Sequence, residues 1–260
     1  MSDDPIQVRN KGVRRSFPKY RQTVLDIARE SQRIPSFPIV RRMRLGELDQ
    51  AKRESSMKIG WTTLFGRAYA LTCEQLPELR DLFVAYPTKQ LYRHPHTVAS
   101  ISIHRHDNAG FERLIWGRWC NAESTPLIQL QDQLHFFCQA PIEQAYREGM
   151  ILERRNPLMR RIAWWWIMNC SGRKRAKHIG TFSISSLGGQ GAFNLHHPLI
   201  TSSSLAFGPI HDSGECEVVL ICDHRAMDGM IGAKALQHLE NVLCNKMVNE
   251  LSVKTNCVAA

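Results

Sequence analysis

The segment CDHRAMDGM, from Cys222 to Met230, gathers polar and flexible residues between two apolar stretches. Asp223, His224, Arg225, Asp228 and Gly229 interrupt what otherwise reads as a strand followed by a helix. Histidine is the side chain whose unperturbed pKa lies near neutrality, so one held in such a turn can take and return a proton at physiological pH. The same spacing suits a plainer arrangement, a helix start capped by Asp228 with His224 packed beside it. Spacing alone leaves both readings open.

A second polar feature lies upstream. From Thr181 to Leu187, Phe182 and Ile184 face one way while Thr181, Ser183 and Ser185 face the other, so one side of a strand carries a row of hydroxyls. Gly188 and Gly189 break it. Histidines at 94 and 96, 104 and 106, and 196 and 197 invite a metal, yet no HExxH or Cys/His zinc spacing accompanies them, and none is expected. His104 shares a strand face with Ser100 and Ser102 and is expected to be solvent-exposed. Eight scattered cysteines, none in a C-x-x-C pair, read as reduced packing residues of a cytoplasmic protein.

The elements that must position these residues follow from periodicity. Val218 to Cys222 is a short run of branched residues, as expected of a strand buried on both faces. Gly232, Leu236, Leu239 and Leu243 recur at helical spacing beyond the turn. Upstream, the patterns predict a helix over Tyr20–Ser31, a strand over Phe37–Leu45 and a helix over Leu45–Arg53. A helix over Thr62–Leu76, a strand over Thr97–His106 and an amphipathic helix within Pro126–Glu148 follow. The expected organisation is a mobile segment at 1–14, one domain over 15–247 and a frayed tail at 248–260.

At 260 residues and 43% hydrophobic content the chain can bury one sizeable core. Its first residues lack the features of a secretory signal, and no run approaches a membrane span; the best, Ile162 to Met168, is a third of the needed length. A net charge of +10 invites nucleic acid, an anionic membrane surface or a phosphate-rich cofactor such as coenzyme A. Eleven Lys or Arg residues lie between Arg9 and Arg44, but they are interleaved with core positions and no nucleic-acid-binding signature is present, so nucleic acid is set aside. In LMRRIAWWWIMNCSGRKRAKH, Leu158 to His178, Trp164, Trp165 and Trp166 stand between Arg160-Arg161 and the basic run Arg173 to Lys177. Two readings compete there: a buried or subunit-facing helix with solvated ends, and a segment peripheral to a membrane, giving access to a lipid-like acceptor.

The turn also resembles a known motif. His224-Arg225-Ala226-Met227-Asp228-Gly229, with Asp223 before it, has the His-x-x-x-Asp-Gly form of the catalytic domains of dihydrolipoyl acyltransferases and, more distantly, of chloramphenicol acetyltransferase. The stretch GTFSISSLGGQGAFNLHHPLITSSSLAFGPI, Gly180 to Ile210, is similar to the family's serine strand, glycine break and following strand. The N-terminal helix, Ser31, Ile34-Pro35 and basic strand also match, so the resemblance covers roughly residues 15 to 245. It implies an α/β fold, a chloramphenicol acetyltransferase-like sandwich with a mixed sheet and helices packed on it. It implies an acyltransferase in which His224 is the general base, Ser185 stabilises the oxyanion, and the acyl group moves directly without an acyl-enzyme. Asp228 would make a structural ion pair that holds the turn, and Gly229 would let the helix start close against the strand. A homotrimer is implied, with the histidine from one chain and the serine from its neighbour.

The chain departs from the family in two ways. It carries no lipoyl or subunit-binding modules, and Gly110 to Thr125 replaces a small apolar run beside the family's substrate channel. These departures favour a free-standing enzyme using a coenzyme A or acyl carrier protein (phosphopantetheine) thioester over a dihydrolipoyl core subunit or a noncatalytic scaffold. The +10 charge suits either anionic donor.

Overall fold

The computed structural model describes residues 12–107 and 110–252. Its strands are β1 (Ser36–Arg44), β2 (Asp81–Val84), β3 (Gln90–Arg93), β4 (Val98–His106), β5 (Glu112–Cys120), β6 (Phe182–Ser186), β7 (Ser203–Phe207) and β8 (Glu215–Asp223). Six of them form one mixed sheet in the order β1-β8-β7-β6-β4-β5, and β2 and β3 form a separate hairpin. β6 runs parallel to β4 and β7; the other pairs are antiparallel.

The helices are α1 (Gln22–Ser31), α2 (Gly46–Glu54), α3 (Trp61–Gln75), α4 (Leu127–Gln139), α5 (Ile142–Ala145), α6 (Arg147–Glu153), α7 (Pro157–Cys170), α8 (Gly172–His178), α9 (Gly229–Asn241) and α10 (Val248–Ser252). They cover both sides of the sheet. On one side Ala99, Ile101, Phe182, Ile184, Leu205 and Leu220 pack with Leu64, Phe65 and Ala68 of α3 and Leu236 and Leu239 of α9. Each of the buried Ile, Leu and Phe side chains contributes about 1.5–3 kcal/mol from removal of apolar surface. On the other side Ile27 of α1 and Trp164 and Met168 of α7 meet Ala206, Val219 and Ile221. The period-two reading of β4 and β6 therefore holds, and the hydroxyl row faces this second layer. β8 is buried on both faces, as its unbroken apolar run requires.

Several expectations are corrected. The helix expected within 126–148 is present as α4, and Pro141 separates it from the short α5. The tail is not frayed from 248: α10 forms there and Leu251 is fully buried, while 253–260 lie outside the described residues, as does most of the 1–14 segment. Gly110 to Thr125 contains an edge strand, β5, whose Trp119 is fully buried. The three tryptophans do not act alike, since consecutive helical residues point about 100° apart. Trp164 is 7% exposed and belongs to the second core, so it cannot sit in a membrane; Trp165 and Trp166 are 40% and 38% exposed. Trp165 lies against Tyr86, and the Lys174 ammonium sits 4.1 Å from the Trp166 ring. Among the described residues, no helix is long and apolar enough to cross a membrane.

Candidate active site

β8, the strand next to edge strand β1, ends at Asp223, and α9 begins at Gly229, so His224 stands in the connection between this buried strand and the helix. The turn closes on itself through the amides of Ala226 and Met227, which donate to the Asp223 carbonyl at 3.0 and 3.1 Å. Register with β1 sets Ser36 opposite Asp223, which brings Pro35 and Phe37 to either side of the histidine. The His224 amide donates to the Pro35 carbonyl at 2.8 Å, and the Phe37 ring meets the imidazole edge-on at 4.8 Å. His224 Nδ1 lies 3.2 Å from the Met227 carbonyl oxygen. A carbonyl can only accept, so Nδ1 carries the proton and Nε2 keeps its lone pair on an exposed ring. This is the tautomer a general base needs.

The ion pair of the turn is made by Asp223, not by Asp228. Asp223 is fully buried and takes a bidentate pair from Arg225, at 2.9 and 2.7 Å, plus the Arg225 amide at 3.0 Å. The guanidinium of Arg175, also buried, stands 4.0 Å away and donates to the carbonyls of Phe83 and Ile200 at 2.8–3.0 Å. Burial pushes Arg175 down to about 10; Asp223 opposes this and the like charge of Arg225 adds to it, leaving it charged at neutral pH. Arg175 comes from the basic run read as a solvated end, so that expectation fails for this residue: its partners are set by the tertiary fold. Asp228 instead caps α9, its carboxylate accepting from the amides of Met230 and Ile231 at 3.1 and 3.3 Å. The capped helix start is thus present, and the exposed histidine stands in the turn just before it.

Gly229 does not have the expected role either, because a Cβ there would meet nothing within 4 Å. The close approach occurs one turn later, at Gly232, where a Cβ would stand 2.3 Å from Ile39 Cδ1 and 3.3 Å from Cys222 Sγ. Gly232→Ala is expected to destabilise the chain by about 1–3 kcal/mol through overpacking, measured by urea unfolding, whereas Gly229→Ala leaves the packing intact. Cys222, beside the turn, is no alternative nucleophile: burial, with Asp223 adding, pushes its thiol up to about 12.

Ser185 is partly buried on β6 and pairs with Ala206, which pairs with Val219. Its hydroxyl has no hydrogen-bond partner among the described residues. The register places it in line with Val219, five residues before His224 and two strands away. At about 3.3 Å per residue and 4.8 Å per strand the two residues stand roughly 19 Å apart. A single chain does not bring them together.

Next to Ser185, Ser183 donates to Ser204 at 2.6 Å, and His197 Nε2 lies 2.5 Å from the same Ser204 oxygen. Burial, with His196 adding, pushes His197 down to about 4, so it stays neutral in the folded chain. Because the unfolded chain binds that proton at its ordinary pKa near 6.5 and the folded chain does not, stability falls as pH drops through 6.5 toward 4. A loss of about 2 kcal/mol between pH 7 and pH 5 is expected from this group. His197→Gln should flatten that slope in urea titrations at the two pH values. Among the other paired histidines, His104 and His106 are exposed beside Glu112, and His94 faces Tyr92. Among the described residues, no group of three or more His, Cys, Asp or Glu could hold a metal.

The sheet order, the two helical layers and the turn after β8 define the chloramphenicol acetyltransferase-like fold. No protein-family model and no curated protein sequence matches the chain. Among solved structures it is similar to the dihydrolipoamide acetyltransferase of Azotobacter vinelandii, at 17% identity and a TM-score of 0.65 over 94% of this chain and 97% of that one. A probable dihydrolipoamide acetyltransferase from Listeria monocytogenes matches at 18% identity and a TM-score of 0.62, over 89% of this chain and 94% of that one. A chloramphenicol acetyltransferase matches at 10% identity and a TM-score of 0.51, over 89% of this chain and all of that one.

Proposed function

We propose that the chain is an acyltransferase that moves an acyl group from a coenzyme A or acyl carrier protein thioester to a hydroxyl, amine or thiol. The observation that carries this reading is the His224 turn, with Nδ1–H fixed on the Met227 carbonyl and Nε2 free at the surface. Nε2 takes the proton of the acceptor as its heteroatom attacks the thioester carbonyl carbon. The oxyanion of the tetrahedral intermediate accepts a hydrogen bond from the Ser185 hydroxyl, which the protein leaves unengaged. Collapse expels the thiolate, which recovers the proton from the imidazolium, so no acyl-enzyme forms.

Because Ser185 and His224 are far apart within one chain, the site needs a second copy, and a homotrimer with three such sites is the proposed assembly. An activity screen with acyl-CoA thioesters, following release of the free thiol, tests the reaction: release above background supports it and no release with any donor and acceptor pair refutes it. Ser185→Ala is expected to lower turnover by about 30- to 1,000-fold, or 2–4 kcal/mol of transition-state stabilisation, with little change in KM.

A further inference from the structure

A cavity of about 660 Å³ opens in the second helical layer, between the sheet and helices α1, α6 and α7. That volume suits one small-molecule ligand. Its inner wall is apolar, from Ile27, Trp116, Leu152, Trp164, Ile167 and Ile179. Its rim carries three arginines, Arg118, Arg147 and Arg155, against one carboxylate, Glu148. Glu148 is already engaged, accepting from Arg118 at 2.7 Å and lying 3.4 Å from His178 Nδ1. Arg147 and Arg155 are exposed and have no ion pair among the described residues, so two guanidiniums at the mouth are uncommitted.

Such a cavity discriminates on two counts. The wall rewards a flexible or flat apolar body, and the uncommitted arginines reward an anionic head that a neutral molecule lacks. The cavity also shares its sheet face with Ser185: Arg118 pairs with Ser100, Ser100 with Ser183, and Ser185 is the next residue of that face on β6. We propose that this cavity binds an amphipathic anion, an apolar body of about ten carbons bearing a carboxylate or phosphate, and that this is the substrate class of the transfer site. The ligand's role as substrate rests on the acyl-transfer reading; its binding does not.

Calorimetric titration of the full chain with decanoate, monodecyl phosphate and methyl decanoate tests the inference. The expected result is binding of at least one of the two anions, with a negative heat-capacity change. Binding of the neutral ester should be at least tenfold weaker. Preference between decanoate and the phosphate ester identifies the head group. Ala163→Phe, which puts a ring into the cavity from α7, should abolish binding while the chain still unfolds cooperatively. The double change Arg147→Ala with Arg155→Ala, on an exposed rim, should weaken binding of the anion about tenfold. Binding of neither anion, or undiminished binding by cooperatively folded Ala163→Phe, overturns the proposal. If the anions fail to bind while thiol release from acyl-CoA persists, the cavity inference falls and the acyltransferase reading stands. If they bind and no thioester turns over, the reverse holds.

Discussion

Replacing His224 with alanine is expected to lower thiol release by two to four orders of magnitude while leaving assembly and fold intact. The size follows from removing a positioned general base, which contributes about 10²- to 10⁴-fold. The fold should survive because the imidazole is exposed and its hydrogen bond and ring contact among the described residues are with the Met227 carbonyl and Phe37. The turn itself is held by main-chain bonds and by Asp223, none of which alanine disturbs. Stopped assays of thiol release, together with the sedimentation profile of the variant, check both halves. His224→Gln should be no better than alanine, because its amide can hydrogen bond but cannot take a proton near neutral pH.

The second large effect concerns stability. Arg175→Leu is expected to destabilise the chain by about 3–5 kcal/mol, because it removes one partner of a buried charge cluster and strands the others. The guanidinium compensates the buried Asp223 carboxylate and satisfies the carbonyls of Phe83 and Ile200, so it joins the β2 hairpin, the loop before β7 and the histidine turn. Arg175→Lys should recover part of the loss, since an ammonium keeps the charge but cannot span the same carbonyls. Urea unfolding gives the stability. Turnover of the residual folded protein should also fall, because Asp223 would be held by Arg225 alone.

The fold was legible in the sequence where one side chain period dominated. The alternations at 97–106 and 181–187 and the helical stripe at 62–76 became β4, β6 and α3 with small shifts at the ends. β5 is not legible because its Arg113, Gly117 and Arg118 blur the alternation, although it buries Trp119. The C-terminal helix is not legible because its apolar contacts, through Val248 and Leu251, are with a core assembled from other parts of the chain. The histidine turn was legible because polar residues interrupt an apolar run. Its supporting charges were not, since Arg175 looks like any surface arginine until the fold buries it beside Asp223. Gly229 and Gly232 likewise cannot be told apart until Ile39 is placed against the helix. The cavity has no linear signature, because its lining comes from seven helices and strands and the connections between them.

The most direct test of the account uses two inactive chains. In a His224→Ala chain Ser185 is intact, and in a Ser185→Ala chain His224 is intact, so neither alone contains a complete site in any homotrimer. When the two are co-refolded at equal amounts, a site shared between neighbours is complete in roughly a quarter of positions. The account predicts thiol release from acyl-CoA near a quarter of the native rate in the mixed assembly. Release no greater than the mean of the two parents, from mixed trimers that assemble normally and with an active native protein beside them, would contradict it.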